Sequence, residues 1–152
     1  MRDGGRVWSA GTDSLRRTVR TRGSSGVLRD PSPPRATDAL GARPRQPLVR
    51  PETPAEIAIY EDGDLGLFEN TSGAFPGYDS YEAIASFVPG ARLVSAAGVE
   101  AGVPVIAAWE LGDGVAIHTG LPQLAEKARQ GDPDADALVR RIWALLARGS
   151  GG

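Results

Sequence analysis

The 152-residue chain contains no cysteine and only one histidine, His118. Disulfides, thiolate metal sites and a cysteine nucleophile are therefore excluded. Lysine is almost absent as well: Lys127 stands alone among seventeen basic residues. Such a skew toward arginine reflects coding composition more simply than function. No apolar stretch approaches the roughly 18 residues that a membrane-spanning helix needs, so no membrane partner is expected. Arg2, Asp3, Gly4 and Gly5 lead into no apolar core of a signal peptide, which makes the cytoplasm the default expectation.

Glycine (20) and proline (12) are plentiful, and charge is divided unevenly along the chain. Residues 1–50 carry eleven arginines against four aspartates, a net of +7; residues 51–152 carry six basic against fifteen acidic side chains, a net of −9. The two parts should attract each other. The basic part is not read as a nucleic-acid arm, because its arginines are spread among prolines with neither interleaved aromatics nor helical spacing.

Four segments are expected. Residues 1–22 hold a strand, Arg6-Val7-Trp8-Ser9-Ala10, entered through Gly4-Gly5, and then a short helix or extended stretch over Ser14 to Arg22. Residues 23–55 form a Pro/Arg-rich irregular connection, since Pro31, Pro33 and Pro34 fit neither a helix interior nor a central strand. An ordered strap wrapped around the acidic part is the alternative for this stretch. Residues 56–148 form an α/β unit, and 149–152 a disordered tail.

Within that unit Glu56 to Tyr60 alternates like a strand, Asp62-Gly63-Asp64 is a turn and Leu65 to Phe68 a further short strand. Tyr78 to Phe87 reads as a helix stopped by Pro89-Gly90, with Tyr81, Ile84, Ala85 and Val88 along one face. Three β-rich runs from Ala91 to Thr119, separated by glycine turns, read as an antiparallel meander. The last element is an amphipathic helix, with Asp132 as N-cap, Pro133 in the first helical position, and Ala135, Leu138, Ile142 and Leu145 on the buried stripe.

Several groupings could carry chemistry, and each has a plainer reading beside it. Gly11-Thr12-Asp13-Ser14, with Arg16 and Arg17 nearby, could form an anion-binding nest. It lacks the spacing of a phosphate-binding loop and reads more simply as a polar strand-to-helix turn capped by Asp13 or Ser14. His118, at the end of a strand, could contact a ligand there or simply bond to nearby backbone. Glu61-Asp62-Gly63-Asp64 lacks the later ligands of a calcium loop and reads as a solvated turn. Phe68, Phe75, Tyr78, Tyr81 and Trp109 could line a sugar-binding face, though core is the ordinary use of such aromatics. Asp79, Glu82 and Glu110 could serve as acid/base groups, but nothing in the sequence pairs them. No metal and no cofactor is expected.

The order of elements, from the Gly-Gly strand through the meander and Gly-Asp-Gly-Val-Ala-Ile-His-Thr-Gly to a terminal helix, resembles the C-terminal part of type 1 glutamine amidotransferase-like domains. The likeness is to atypical members, such as the C-terminal domain of the N,N-dimethylformamidase large subunit and the middle domain of some β-galactosidases. It rests on element order and glycine-rich turns rather than on a specific motif. It implies an α/β fold: a partial flavodoxin-like or Rossmann-like sheet with an antiparallel C-terminal meander and a closing helix. It also implies that the remaining half-domain lies upstream or on a protein partner. A working glutaminase uses a cysteine nucleophile and a His-x-Glu pair. Here His118 matches the histidine, Gly120 stands in place of the glutamate, and cysteine is missing. The resemblance thus implies a non-catalytic domain with a structural or interaction role. The alternatives are a component of an amidohydrolase whose catalytic residues lie elsewhere, and a carbohydrate- or phosphate-binding module.

Overall fold

The fold was obtained as a computed structural model, which describes residues 5–10, 21–22, 28–29, 42–44 and 48–149. The main element is a six-stranded mixed sheet in the order β1-β10-β9-β8-β5-β6. Its strands are β1 (Arg6–Ala10), β5 (Ala55–Asp62), β6 (Ala74–Tyr78), β8 (Ala91–Gly98), β9 (Ile106–Leu111) and β10 (Gly114–Thr119). Two short pairs accompany it: β2 (Thr21–Arg22) with β3 (Leu28–Arg29), and β4 (Ala42–Pro44) with β7 (Ile84–Phe87). Two helices follow β10, α1 (Leu124–Arg129) and α2 (Pro133–Gly149).

This architecture corrects the α/β expectation. Among the described residues the chain is mostly β, a curled mixed sheet, and not a partial flavodoxin-like or Rossmann-like sheet. Among the described residues parallel pairing is confined to β1 and β10, and every other strand pair is antiparallel. Alternating β and α elements would make a parallel sheet, but both described helices come after the last strand.

Two local readings fail for reasons visible in the backbone. The stretch expected to be helical, Tyr78 to Phe87, is extended. Its N–H groups donate across the fold and not along a helix: Tyr81 to Val49 O (3.0 Å), Glu82 to Gly120 O (2.8 Å) and Ile84 to Pro104 O (2.8 Å). The short strand expected over Leu65 to Phe68 is a run of turns, with Gly66 and Asn70 in the left-handed region (φ 66° and 67°). Leu67 and Phe68 are nonetheless buried, so their apolar character marks core and not strand. Arg141 of α2 holds these turns, its Nε donating to Gly66 O (2.7 Å) and Nη2 to Leu65 O (3.0 Å).

The meander β8-β9-β10 stands where alternation and glycine turns place it. β9 is covered on both faces, as its apolar run implies; Trp109 is wholly buried. Helix α2 begins as its sequence dictates. Asp132 accepts a hydrogen bond from the Ala135 N–H at 2.9 Å, satisfying one of the donors that a helix start leaves open. Ala135, Leu138, Ile142 and Leu145 are buried in the principal core with Ile57, Phe75, Ile106 and Ile117. The helix crosses that face of the sheet. At its start Asp134 accepts from Ser72 N (2.6 Å) and Oγ (2.9 Å). At its end Arg6 donates to Leu145 O (2.7 Å), and Trp143 meets Trp8 edge-on at 5.7 Å.

A second, smaller core lies on the opposite face, where Ala42, Ile84, Ala107, Trp109 and Ala116 pack together. Residues 42–44 and Val49 belong to the stretch read as an irregular connection. They are docked onto the body through β4–β7 and a reciprocal bridge between Val49 and Tyr81. The predicted element over Ser14 to Arg22 lies outside the described residues except for Thr21–Arg22, which is strand.

Candidate functional site

β10 presents its side chains alternately to the two cores. Ile117 faces the helices, whereas Ala116 belongs to the smaller core. His118, two residues beyond Ala116, shares that second face. Register sets its neighbours: Ser9 of β1 and Ala107 of β9 lie directly opposite. The imidazole Nδ1 sits 3.2 Å from Ser9 Oγ, within hydrogen-bonding distance. Nε2 lies 3.7 Å from Glu82 Oε1, too far for a hydrogen bond.

Glu82 reaches this place through its backbone. Its N–H donates to Gly120 O at 2.8 Å, while Gly120 N donates to Val105 O at 2.9 Å. A Cβ at position 120 would overlap the Glu82 carbonyl oxygen. Glycine is therefore required where the amidotransferase resemblance would put a glutamate. A carboxylate approaches the histidine all the same, from a different part of the chain.

The three side chains are sealed from solvent: His118 and Glu82 are 0 % exposed and Ser9 is 6 % exposed. Burial lowers the His118 pKa from 6.5 to about 4, with a hydrogen bond donated by the ring to the Ser9 backbone opposing that shift. The ring is accordingly neutral at pH 7. Nucleophile, base and carboxylate are all represented, in the order Ser–His–Glu. Nucleophilic catalysis further needs a reacting carbonyl to reach the serine oxygen, and the packing around Ser9 closes that approach. The arrangement as it stands ties together β1, β10 and the 81–87 segment.

Beside this segment Val49, Tyr81, Ala83, Val99, Glu100, Val103 and Val105 line a groove of about 210 Å³. Small-molecule sites usually enclose about 300–1,000 Å³, so it would admit a side chain or a small fragment. Among the described residues no cluster of three or more His, Cys, Asp or Glu could hold a metal ion, and no helix is long and apolar enough to cross a membrane.

The remaining candidates fall differently. Thr12, Asp13, Ser14, Arg16 and Arg17 lie outside the described residues. Phe68, Phe75, Tyr78 and Trp109 are core and not a ligand face. Glu110 pairs on the surface with Arg92 at 2.6 Å, and Asp79 bonds with Gln123. Only Glu82 of the three named acids meets His118. Ser9 and Glu82 were not paired with His118 from sequence, because neither stands at a motif spacing from it. Elsewhere, Tyr78 has its hydroxyl buried without a hydrogen-bond partner and the Lys127 ammonium 4.8 Å from its ring centre. Burial raises its pKa, reinforced by Asp132 and Asp134.

No family model and no curated protein sequence matches the chain. In three dimensions it is similar to the crystal structure of β-galactosidase from Bacillus circulans sp. alkalophilus, with a TM-score of 0.52 and 17 % identity over 99 % of this chain. The chain spans 19 % of the length of that structure. The likeness is one of fold, between this chain and a domain-sized part of a larger protein.

Proposed function

We propose that this chain is a non-catalytic module with a structural or interaction role, related to the atypical amidotransferase-like domains that its element order resembles. The observation that carries the reading is the sealing of His118. The one imidazole of the chain is neutral and fully buried, and it is engaged by Ser9 on one side and faced by Glu82 on the other. A general base must reach the proton it removes in a substrate-bound state, and here the ring serves internal packing. The fold likeness to a fifth of a β-galactosidase chain is in keeping with a part of a larger assembly.

The test is an activity screen of the purified chain. Glutaminase and amidase activities, and hydrolysis of a chromogenic galactoside, are expected to be indistinguishable from buffer. Turnover that disappears in both Ser9→Ala and His118→Asn, with both variants still folded, would overturn the proposal and make the buried trio an active site.

A further inference from the structure

The two edges of the six-stranded sheet, β6 and β1, are finished differently. An edge strand presents unpaired N–H and C=O groups that can template another strand. β6 blunts its edge: Pro76 has no N–H, Gly77 takes a positive φ of 80°, and the pairing with β5 shifts register. β1 carries none of these devices; it reads Arg-Val-Trp-Ser-Ala, without proline, glycine or register shift. Its parallel register fixes which groups turn outward. The Val115 N–H donates to Gly5 O, and Arg6 lies beside Val115. Ladder bonds fall on alternate residues of such a strand, so Gly5, Val7 and Ser9 face β10, and Arg6, Trp8 and Ala10 turn their N–H and C=O away from it. Among the described residues nothing donates to or accepts from these outward backbone groups. The edge is accessible, with Gly5 and Ala10 exposed and Arg6, Val7 and Trp8 half-buried. Beside it Trp143 of α2, 60 % exposed, stands edge-on to Trp8.

We propose that the β1 edge, flanked by Trp143, is a self-association surface on which a second copy of the chain adds its own β1 antiparallel, joining the two sheets into one. Symmetry selects this occupant. The outward groups sit at Arg6, Trp8 and Ala10, evenly about Trp8. A two-fold axis at Trp8 therefore sets Arg6 opposite the partner's Ala10 and Trp8 opposite the partner's Trp8, and every facing pair is a hydrogen-bonded one. Such pairs supply about six backbone hydrogen bonds across the axis. The contact is isologous, so it closes both open edges at once and leaves no β1 edge for a third copy. Charge agrees with this register. Arg6 is the one charged side chain of β1, and it meets an alanine and not another arginine. Trp8 is anchored on the α2 side of the sheet, its Nε1 donating to Thr119 Oγ1 at 3.0 Å, and Trp143 lies against it. The Trp8–Trp143 pairs of the two copies thus gather around the axis and cover the exposed indole, an aromatic centre of the kind that interfaces favour. Such a dimer gives the interaction role proposed above its partner, and it rests on that reading. Turnover tests the role and oligomeric state tests the surface, so either can fail alone.

Sedimentation equilibrium of the full chain, with amide exchange in concentrated and dilute samples, provides the test. A closed dimer should form with a Kd below about 1 mM. The Trp8 and Ala10 amides should exchange about ten-fold more slowly in the concentrated sample, while the Val7 and Ser9 amides, bonded to β10, stay protected in both. Ala10→Pro removes an outward N–H without losing a bond to β10, and Trp143→Lys puts a charge where the indole is covered. Both variants should keep a cooperative melt and raise the Kd about ten-fold or more, the equivalent of losing one or two good contacts. A wild type that stays monomeric up to about 1 mM overturns the proposal. So does a dimer of unchanged Kd in both folded variants, or one in which the Trp8 and Ala10 amides exchange at the same rate at both concentrations. Should Ala10→Pro fail to fold, Trp143→Lys and the wild-type exchange still decide.

Discussion

Acidification tests the buried histidine most directly. In the unfolded chain His118 titrates near 6.5; in the folded protein burial holds it at about 4. The folded state therefore binds the proton later than the unfolded state does. Stability is fully present above pH 6.5 and is lost as the pH falls toward 4. One pKa unit corresponds to about 1.4 kcal/mol, so the complete loss is about 3 kcal/mol, of which about 2 kcal/mol has accrued by pH 5. Against a typical total of about 5–15 kcal/mol this is a large share. His118→Asn keeps a polar group near Ser9 and does not titrate. Urea unfolding followed by tryptophan fluorescence, at pH 8, 7, 6 and 5, gives the free energy of each protein. The carboxylates remote from position 118 are common to both and cancel in the difference. The wild type should lose about 2 kcal/mol relative to the variant between pH 8 and pH 5. A difference that stays constant with pH would refute the reasoning, since His118 would then titrate alike in the folded and unfolded states.

Three further outcomes follow from single contacts. Asp132→Ala removes the cap on the Ala135 N–H and should cost about 0.5–2 kcal/mol in chemical denaturation, with Asp132→Asn restoring most of it. Tyr78→Phe deletes a buried hydroxyl that has no hydrogen-bond partner; the melting temperature should hold or rise, because no bond is lost and a desolvated polar group is removed. Gly120→Ala forces a methyl group onto the Glu82 carbonyl and should lower stability by about 1–3 kcal/mol through backbone displacement. It should also speed exchange of the Glu82 amide, which donates to Gly120 O.

The parts of the fold that could be read from sequence are those whose cause is local. An N-cap reaches three residues ahead, and a helical stripe repeats every three to four, so Asp132, Pro133 and Leu138 declare α2 without knowledge of the rest. Alternation and glycine turns likewise place β8, β9 and β10. The absence of cysteine, and Gly120 two residues after His118, are likewise plain in the sequence.

What the tertiary structure alone decided is non-local. Tyr81, Glu82 and Ile84 lie in a stretch with helical spacing, yet their amides find Val49, Gly120 and Pro104, and those long-range bonds override the local preference. The same pairings turn an expected α/β unit into a mostly β domain. They also alter the meaning of the histidine. From sequence, His118 lacks the carboxylate of a His-x-Glu pair; in the fold a glutamate from another segment stands 3.7 Å away and a serine from the parallel neighbour strand 3.2 Å away. Which strand lies beside β10, and which segment covers it, depends on packing between residues far apart in the chain. No spacing along the sequence encodes that.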